Sequence, residues 1–161
     1  MTRPNGPQDS PGFLLWRCTL RWQRAITATL RPLELTHVQF VLLASTWWLA
    51  EQSAGPSPLP SQRQLAEHVG TDVMMTSQVV RVLERRGLLE RTADDAGDGR
   101  IKRLAVTSTG RALAVRAIEV VEAADAAFFD RVLDHDRLLT MLQQLADVTA
   151  APVSVGPRAA S

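Results

Sequence analysis

Between Ser61 and Gly87 the chain spells out two short helices with room between them for nothing but a turn. Ser61 and Gln64, three residues apart, form a capping box: the hydroxyl takes an orphan backbone N–H and the glutamine answers the cap. Leu65, Ala66 and Val69 give this first helix an inward face, and Gly70 closes it by allowing a left-handed C-terminal turn. Asp72 is an N-cap for the second helix, with its carboxylate at the positive end of the dipole. Thr76, Val79, Val80 and Leu83 fall at helical spacing and face inward, while Ser77, Gln78, Arg81 and Arg85 fall on another side. Gly87 stops the helix. Leu88 to Arg91 and Leu104 to Val106 then read as strands, joined by a connection carrying Gly97, Gly99, Arg100 and Lys102. A helix pair followed by a β-hairpin is a winged helix-turn-helix, a form that sets its second helix in the DNA major groove.

The flanking segments are too apolar to serve that lobe alone. Phe13 to about Leu30 reads as a helix that is greasy nearly all round in its first half, through Phe13, Leu14, Leu15, Trp16, Cys18, Leu20 and Trp22. Such a helix needs more than one neighbour, so a subunit interface is expected as well as a core. Arg31-Pro32 breaks it. Thr36 and Gln39 form a second capping box at the start of a helix carrying Val38, Val41, Leu42, Leu43, Trp47, Trp48 and Leu49. A proline-rich loop leads from there to Ser61. Thr107 caps a long helix with an apolar stripe of Leu113, Ala117, Val120, Val121, Ala124 and Phe128, and Asp134-His135-Asp136 interrupts it. A last amphipathic helix carries Leu138, Leu139, Met141, Leu142, Leu145 and Val148.

The expected fold is mainly α with a small β-hairpin wing (α+β): a winged helix-turn-helix lobe plus a helical dimerisation lobe drawn from both termini. Its divisions are a disordered arm (1–12), a dimerisation helix and second helix (13–53), the DNA-binding lobe (54–107), a long connecting helix with a C-terminal dimerisation helix (108–149), and a disordered tail (150–161).

A net charge of +1 excludes a polycation that holds nucleic acid by bulk attraction, so any DNA contact comes from local placement of charge. All but one of the 18 basic residues are arginine, Lys102 being the exception, a bias that reflects a GC-rich genome more than function. One cysteine excludes an internal disulfide framework. No secretion signal or apolar run of membrane-spanning length is present, so a cytoplasmic protein without membrane attachment is expected. No metal-ligand spacing, phosphate-cradling glycine loop or nucleophile motif is present either, and neither enzymatic activity nor a cofactor is expected.

The stretch LAEHVGTDVMMTSQVVRVLERRGLLER resembles the helix-turn-helix of the MarR family (multiple antibiotic resistance regulators). DGRIKRLAVTSTG, from Asp98 to Gly110, resembles that family's wing signature, and the similarity runs from about Phe13 to Val148. It implies a homodimer whose terminal helices interdigitate. Such a dimer is a sequence-specific regulator, expected to be a repressor, on a pseudo-palindromic site in double-stranded DNA. Arg63, Met75, Ser77, Gln78, Arg81, Arg85, Asp98, Arg100 and Lys102 are the DNA-binding candidates. Arg100 suits a narrow minor groove, with Asp98 orienting it as the resemblance implies. Arg86 and Arg103 are further phosphate contacts. Of Met74 and Met75, one is expected to pack and the other to reach the groove.

The resemblance also implies a ligand site touching the first two helices, for a small aromatic or anionic effector. Trp16, Arg17, Arg21, His37 and Trp47 are its candidates, with Arg17 and Arg21 one turn apart and able to share a carboxylate. A dimer interface explains the same residues. Some relatives sense peroxide through a cysteine in the first helix. Cys18 sits too late in the chain for that role and the sequence has no tyrosine, so a buried, inert thiol is expected. Two other classes remain open at this point: a winged-helix protein-interaction module, and a small-molecule carrier without DNA binding.

Overall fold

The structure, a computed structural model, describes residues 6–52, 59–93 and 102–148. Six α-helices and one two-stranded antiparallel sheet are seen among them, in the order α1 (Pro11–Leu30), α2 (His37–Gln52), α3 (Gln62–Val69), α4 (Val73–Arg85), β1 (Leu89–Ala93), β2 (Lys102–Val106), α5 (Ser108–Phe129) and α6 (His135–Leu145). This is the winged helix-turn-helix with added terminal helices that the sequence predicts. The strands pair in the register Leu89 to Val106 through Ala93 to Lys102.

The chain separates into two compact units, residues 1–127 and 128–161. In the first, α2 is central and packs on α1, α3, α4 and β2. One continuous core joins Ile26 and Leu30 of α1, Leu42 and Leu43 of α2, Leu65 of α3, Val80 and Leu83 of α4, Leu104 of β2, and Ala114 and Ala117 of α5. Two threonines are buried in it and both are satisfied. The Thr46 hydroxyl donates to the Leu42 carbonyl at 2.7 Å, and that of Thr76 to the Asp72 carbonyl at 2.9 Å. In the second unit, α6 is N-capped by Asp134, whose carboxylate accepts from the Arg137 amide at 2.9 Å.

Both capping boxes form. Ser61 and Gln64 exchange bonds of 2.9 and 3.2 Å, and Thr36 and Gln39 exchange bonds of 3.1 and 3.3 Å. Gly70 and Gly87 hold φ of +73° and +67°, the left-handed conformations that end α3 and α4.

Four expectations need correction. Helix α1 starts at Pro11, inside the arm expected to be disordered, because Ser10 caps it and Pro11 takes the first helical position; Pro7–Asp9 before it is a 3-10 turn. The buried stripe of α5 is Gly110, Ala114, Ala117 and Val121, while Val120 is exposed. Small residues set the contact phase here, because the helix lies close on the hairpin root. A Cβ at Gly110 would collide with the Leu88 carbonyl oxygen. The Asp134-His135-Asp136 run interrupts the helices only at Asp134, since His135 and Asp136 already belong to α6. Cys18 is exposed. The first half of α1 lies off the core of its own chain, and Phe13, Leu14, Leu15 and Trp16 are exposed with it.

Candidate nucleic-acid interface

The inward side of α4 is fixed by burial. Thr76, Val80 and Leu83 have no measurable exposure, so the opposite side of the helix is turned to solvent. Met74, Gln78, Arg81 and Arg85, spaced four, three and four residues apart, form one ridge along that outer side, and all four are exposed. Ser77 lies on one shoulder of the ridge, half-buried, and Met75 on the other at 37% exposure. Of the two methionines Met74 is the more open, at 72% exposure, and lies on the ridge itself. The polar residues of the ridge were legible in the sequence; which of the two methionines joins them was not.

Aspartate at the N-cap sets the ridge's electrostatic direction. The Asp72 carboxylate accepts the Met75 amide at 2.8 Å, so an acidic cap precedes an apolar first turn. Its guanidinium groups come in the second half, at Arg81 and Arg85. Arg63 on α3 and Lys102 at the start of β2 are exposed. Asp98 and Arg100 lie outside the described residues.

Three other arginines have structural partners. Arg86 donates to the Glu34 carbonyl at 2.7 Å and to Gln39 at 3.3 Å, tying the end of α4 to the turn before α2. Arg91 pairs with Glu84 at 2.9 Å, and Arg103 donates to Gln64 at 3.1 Å. The sequence reading of Arg86 and Arg103 as phosphate contacts missed these partners, which only the tertiary fold brings near.

A second feature lies where α1, α2 and the α3–α4 turn meet. An open cavity of about 570 Å³ is lined by Gln23, Thr27, His37, Val38, Val41, Val69 and Thr71. His37 stands edge-on to Trp22 with ring centroids 4.9 Å apart, and the Trp22 indole donates to Asp125 at 2.6 Å. Burial holds His37 below the ordinary imidazole value, and the Asp125 charge offsets part of that shift, so the ring is neutral at pH 7. The Thr71 hydroxyl bonds the buried Thr76 hydroxyl of α4 at 2.8 Å, so the cavity wall and the first turn of α4 share a hydrogen bond.

Of the five ligand candidates only His37 lines this cavity. Arg17 lies over the Phe13 ring at 5.9 Å, and Trp16 and Arg21 are exposed on α1. Trp47 donates to Glu51 at 3.2 Å and lies under Arg111. On α1 it is Gln23 and Thr27 that line the cavity. The signal for them was the burial phase of Ile26 and Leu30, whose neighbouring face they occupy.

Comparison with known proteins decides the lineage. The MarR family model matches residues 35–102, which hold α2, α3, α4, β1 and the start of β2. The HTH-type transcriptional regulator YdcH of Bacillus subtilis is 39% identical over 141 residues, covering 88% of this chain and 92% of the relative. The chain belongs to the MarR family. Two MarR-like regulators of known structure extend the likeness to the whole fold. CouR from Rhodococcus jostii RHA1, bound to p-coumaroyl-CoA, is 31% identical with a TM-score of 0.75, covering 92% of this chain and 99% of that one. Rv2887, a MarR family protein of Mycobacterium tuberculosis in complex with salicylic acid, is 33% identical with a TM-score of 0.62, covering 84% and 96%. CouR has also been seen on a 23-mer DNA duplex, in a structure matching at 25% identity and a TM-score of 0.72 over 91% of this chain and 97% of that one. The MarR assignment gives the exposed ridge its context: α4 is the second helix of the helix-turn-helix in a winged-helix transcription regulator. Among the described residues no helix is long and apolar enough to cross a membrane.

Proposed function

We propose that this MarR-family chain acts as a homodimeric, cytoplasmic repressor that reads a pseudo-palindromic operator and catalyses no reaction. The observation that carries the reading is the exposed Met74–Gln78–Arg81–Arg85 ridge on a helix whose other side is locked into the core. A rigidly seated helix with an unpartnered polar outer face fits a major groove, while Arg63, Arg85 and Lys102 supply phosphate contacts. Arg100 and Asp98, in the connection between the strands, are assigned to the flanking minor groove on the strength of the wing signature. The exposed apolar first half of α1 supports the dimer, since an apolar surface of that kind calls for cover. A two-fold dimer demands half-sites about one helical turn apart, ~10 bp.

Regulation by a small molecule is the second part of the proposal. The cavity beside His37 supports it, because Thr71 on its wall is bonded to Thr76 under the recognition helix. The relatives seen with salicylic acid and with p-coumaroyl-CoA suggest an aromatic effector. Such a molecule shifts DNA binding only if it prefers one arrangement of the helices over the other.

Selection of duplexes from a random DNA pool tests the proposal. The expected result is a symmetric consensus, bound with an affinity that falls steeply as salt rises. A pool with no enriched sequence at low salt would reject DNA recognition and favour a protein-interaction module or a carrier.

A further inference from the structure

We infer that Met74 is a specificity-determining residue that reads thymine, its side chain lying against the C5-methyl group of one thymine in each half of the bound duplex. The inference rests on the proposed DNA-binding role of α4 and adds the chemistry of a single contact to it.

Exposure is the first observation. Met74 is 72% exposed, against 50% for Val73 and 37% for Met75, and it shares its ridge with Gln78, Arg81 and Arg85. Whatever covers the polar part of the ridge also covers Met74. Charge is the second. The turn that holds Met74 contains Asp72, Val73, Met74 and Met75 and no cation, and the Asp72 carboxylate occupies the Met75 amide at 2.8 Å. The Asp72 charge offsets the positive end of the helix dipole there, and the guanidinium groups that attract a phosphate lie two to three turns further on, at Arg81 and Arg85. The helix is therefore polarised: its basic half belongs at the phosphate rim, and its apolar start belongs on the groove floor among base edges. Chemistry is the third. The major-groove edges of the four bases offer one apolar group, the methyl of thymine. A thioether on an unbranched chain adapts its shape to such a group and has no competing donor to leave unsatisfied.

The test uses the full chain and the consensus duplex obtained from the random pool. Each dT of the consensus is replaced in turn by deoxyuridine, which removes only the methyl, and affinities are measured by fluorescence anisotropy. Wild type is expected to lose about fourfold at one dT position per half-site, equal to about 0.8 kcal/mol, the value of one buried methyl-sized group. With both half-sites substituted the loss compounds to roughly fifteenfold. Met74→Ala should bind the dT duplex more weakly and respond to deoxyuridine nowhere at that position, while Met74→Leu keeps the response. Because Met74 is exposed, both variants should melt with wild type. The inference is overturned if no dT position is sensitive, or if the sensitivity survives unchanged in Met74→Ala. A pool with no enriched duplex would overturn DNA recognition itself, and this contact with it.

Discussion

Helices α4 and the first half of α1 both expose large apolar side chains, and they do so for opposite reasons. On α4 the inner side is sealed by its own chain, through Thr76, Val80 and Leu83, and the outer ridge mixes one methionine with Gln78, Arg81 and Arg85. On α1 the order is reversed along the helix. Ile26 and Leu30 are fully buried near its end, while Phe13, Leu14, Leu15 and Trp16 at its start are exposed, Trp16 at 61%. A surface meant to meet water part of the time carries charge and exposes apolar area sparingly. One meant to stay covered need not. On the function proposed above, the contrast is that between a face that binds and releases and a face that belongs in a standing interface.

Mutations can break that contrast in order of size. Leu83→Ala on the inner side of α4 removes a fully buried side chain and should lower stability by about 2–5 kcal/mol, equally at every protein concentration in chemical denaturation. Trp16→Ala acts on the other face. It should raise the dimer dissociation constant by roughly thirtyfold, about 2 kcal/mol, visible in sedimentation equilibrium and as a melting temperature that depends more on concentration. If Trp16→Ala left self-association untouched, the standing-interface reading of α1 would fail. Arg81→Ala should leave folding and dimerisation alone and weaken operator binding by about 1 kcal/mol. If Arg81 contacts phosphate, the log-log salt slope becomes shallower by ~1; if it reads a base, specificity relaxes at one position instead.

The smallest expected effect lies between the two faces, at His37. Burial depresses its pKa, so the folded state favours the neutral ring and the unfolded chain takes up a proton more readily. The stability this neutral ring supports is complete above the ordinary value of 6.5 and declines as pH falls through it toward the lower folded value. Melting temperatures taken from about pH 7.5 to 5 should therefore fall more steeply for wild type than for His37→Gln. Parallel curves would show that the ring gains its proton without consequence.

How much of this was readable from residues alone follows the same division. The helix-turn-helix was legible because its signals are local: Ser61 with Gln64, Gly70, Asp72 and Gly87 each act within one turn, and each does in the structure what its chemistry requires. The terminal helices were legible as elements but not in their surroundings. Cys18 reads as buried because its neighbours Leu14 and Leu15 are apolar, yet all three are exposed in the single chain. Arg17 and Arg21 share a face, yet the Trp22–Ile26–Leu30 phase of α1 brings Gln23 and Thr27 to the cavity instead. Arg86 reads as a phosphate contact, and only the fold shows that it also donates to the Glu34 carbonyl at 2.7 Å. Long-range geometry of that kind leaves no periodic trace in a sequence.

Gly110 has a mechanical implication. With no side chain there, the start of α5 rests directly on the backbone of Leu88, and the Thr107 hydroxyl clamps the junction by donating to the Gly87 carbonyl at 2.6 Å while accepting the Gly110 amide at 3.0 Å. At that point no side chain separates the long helix from the foot of the hairpin. Any side chain added at Gly110 would force the long helix off the foot of the hairpin, so the seating of α5 there depends on that one missing Cβ.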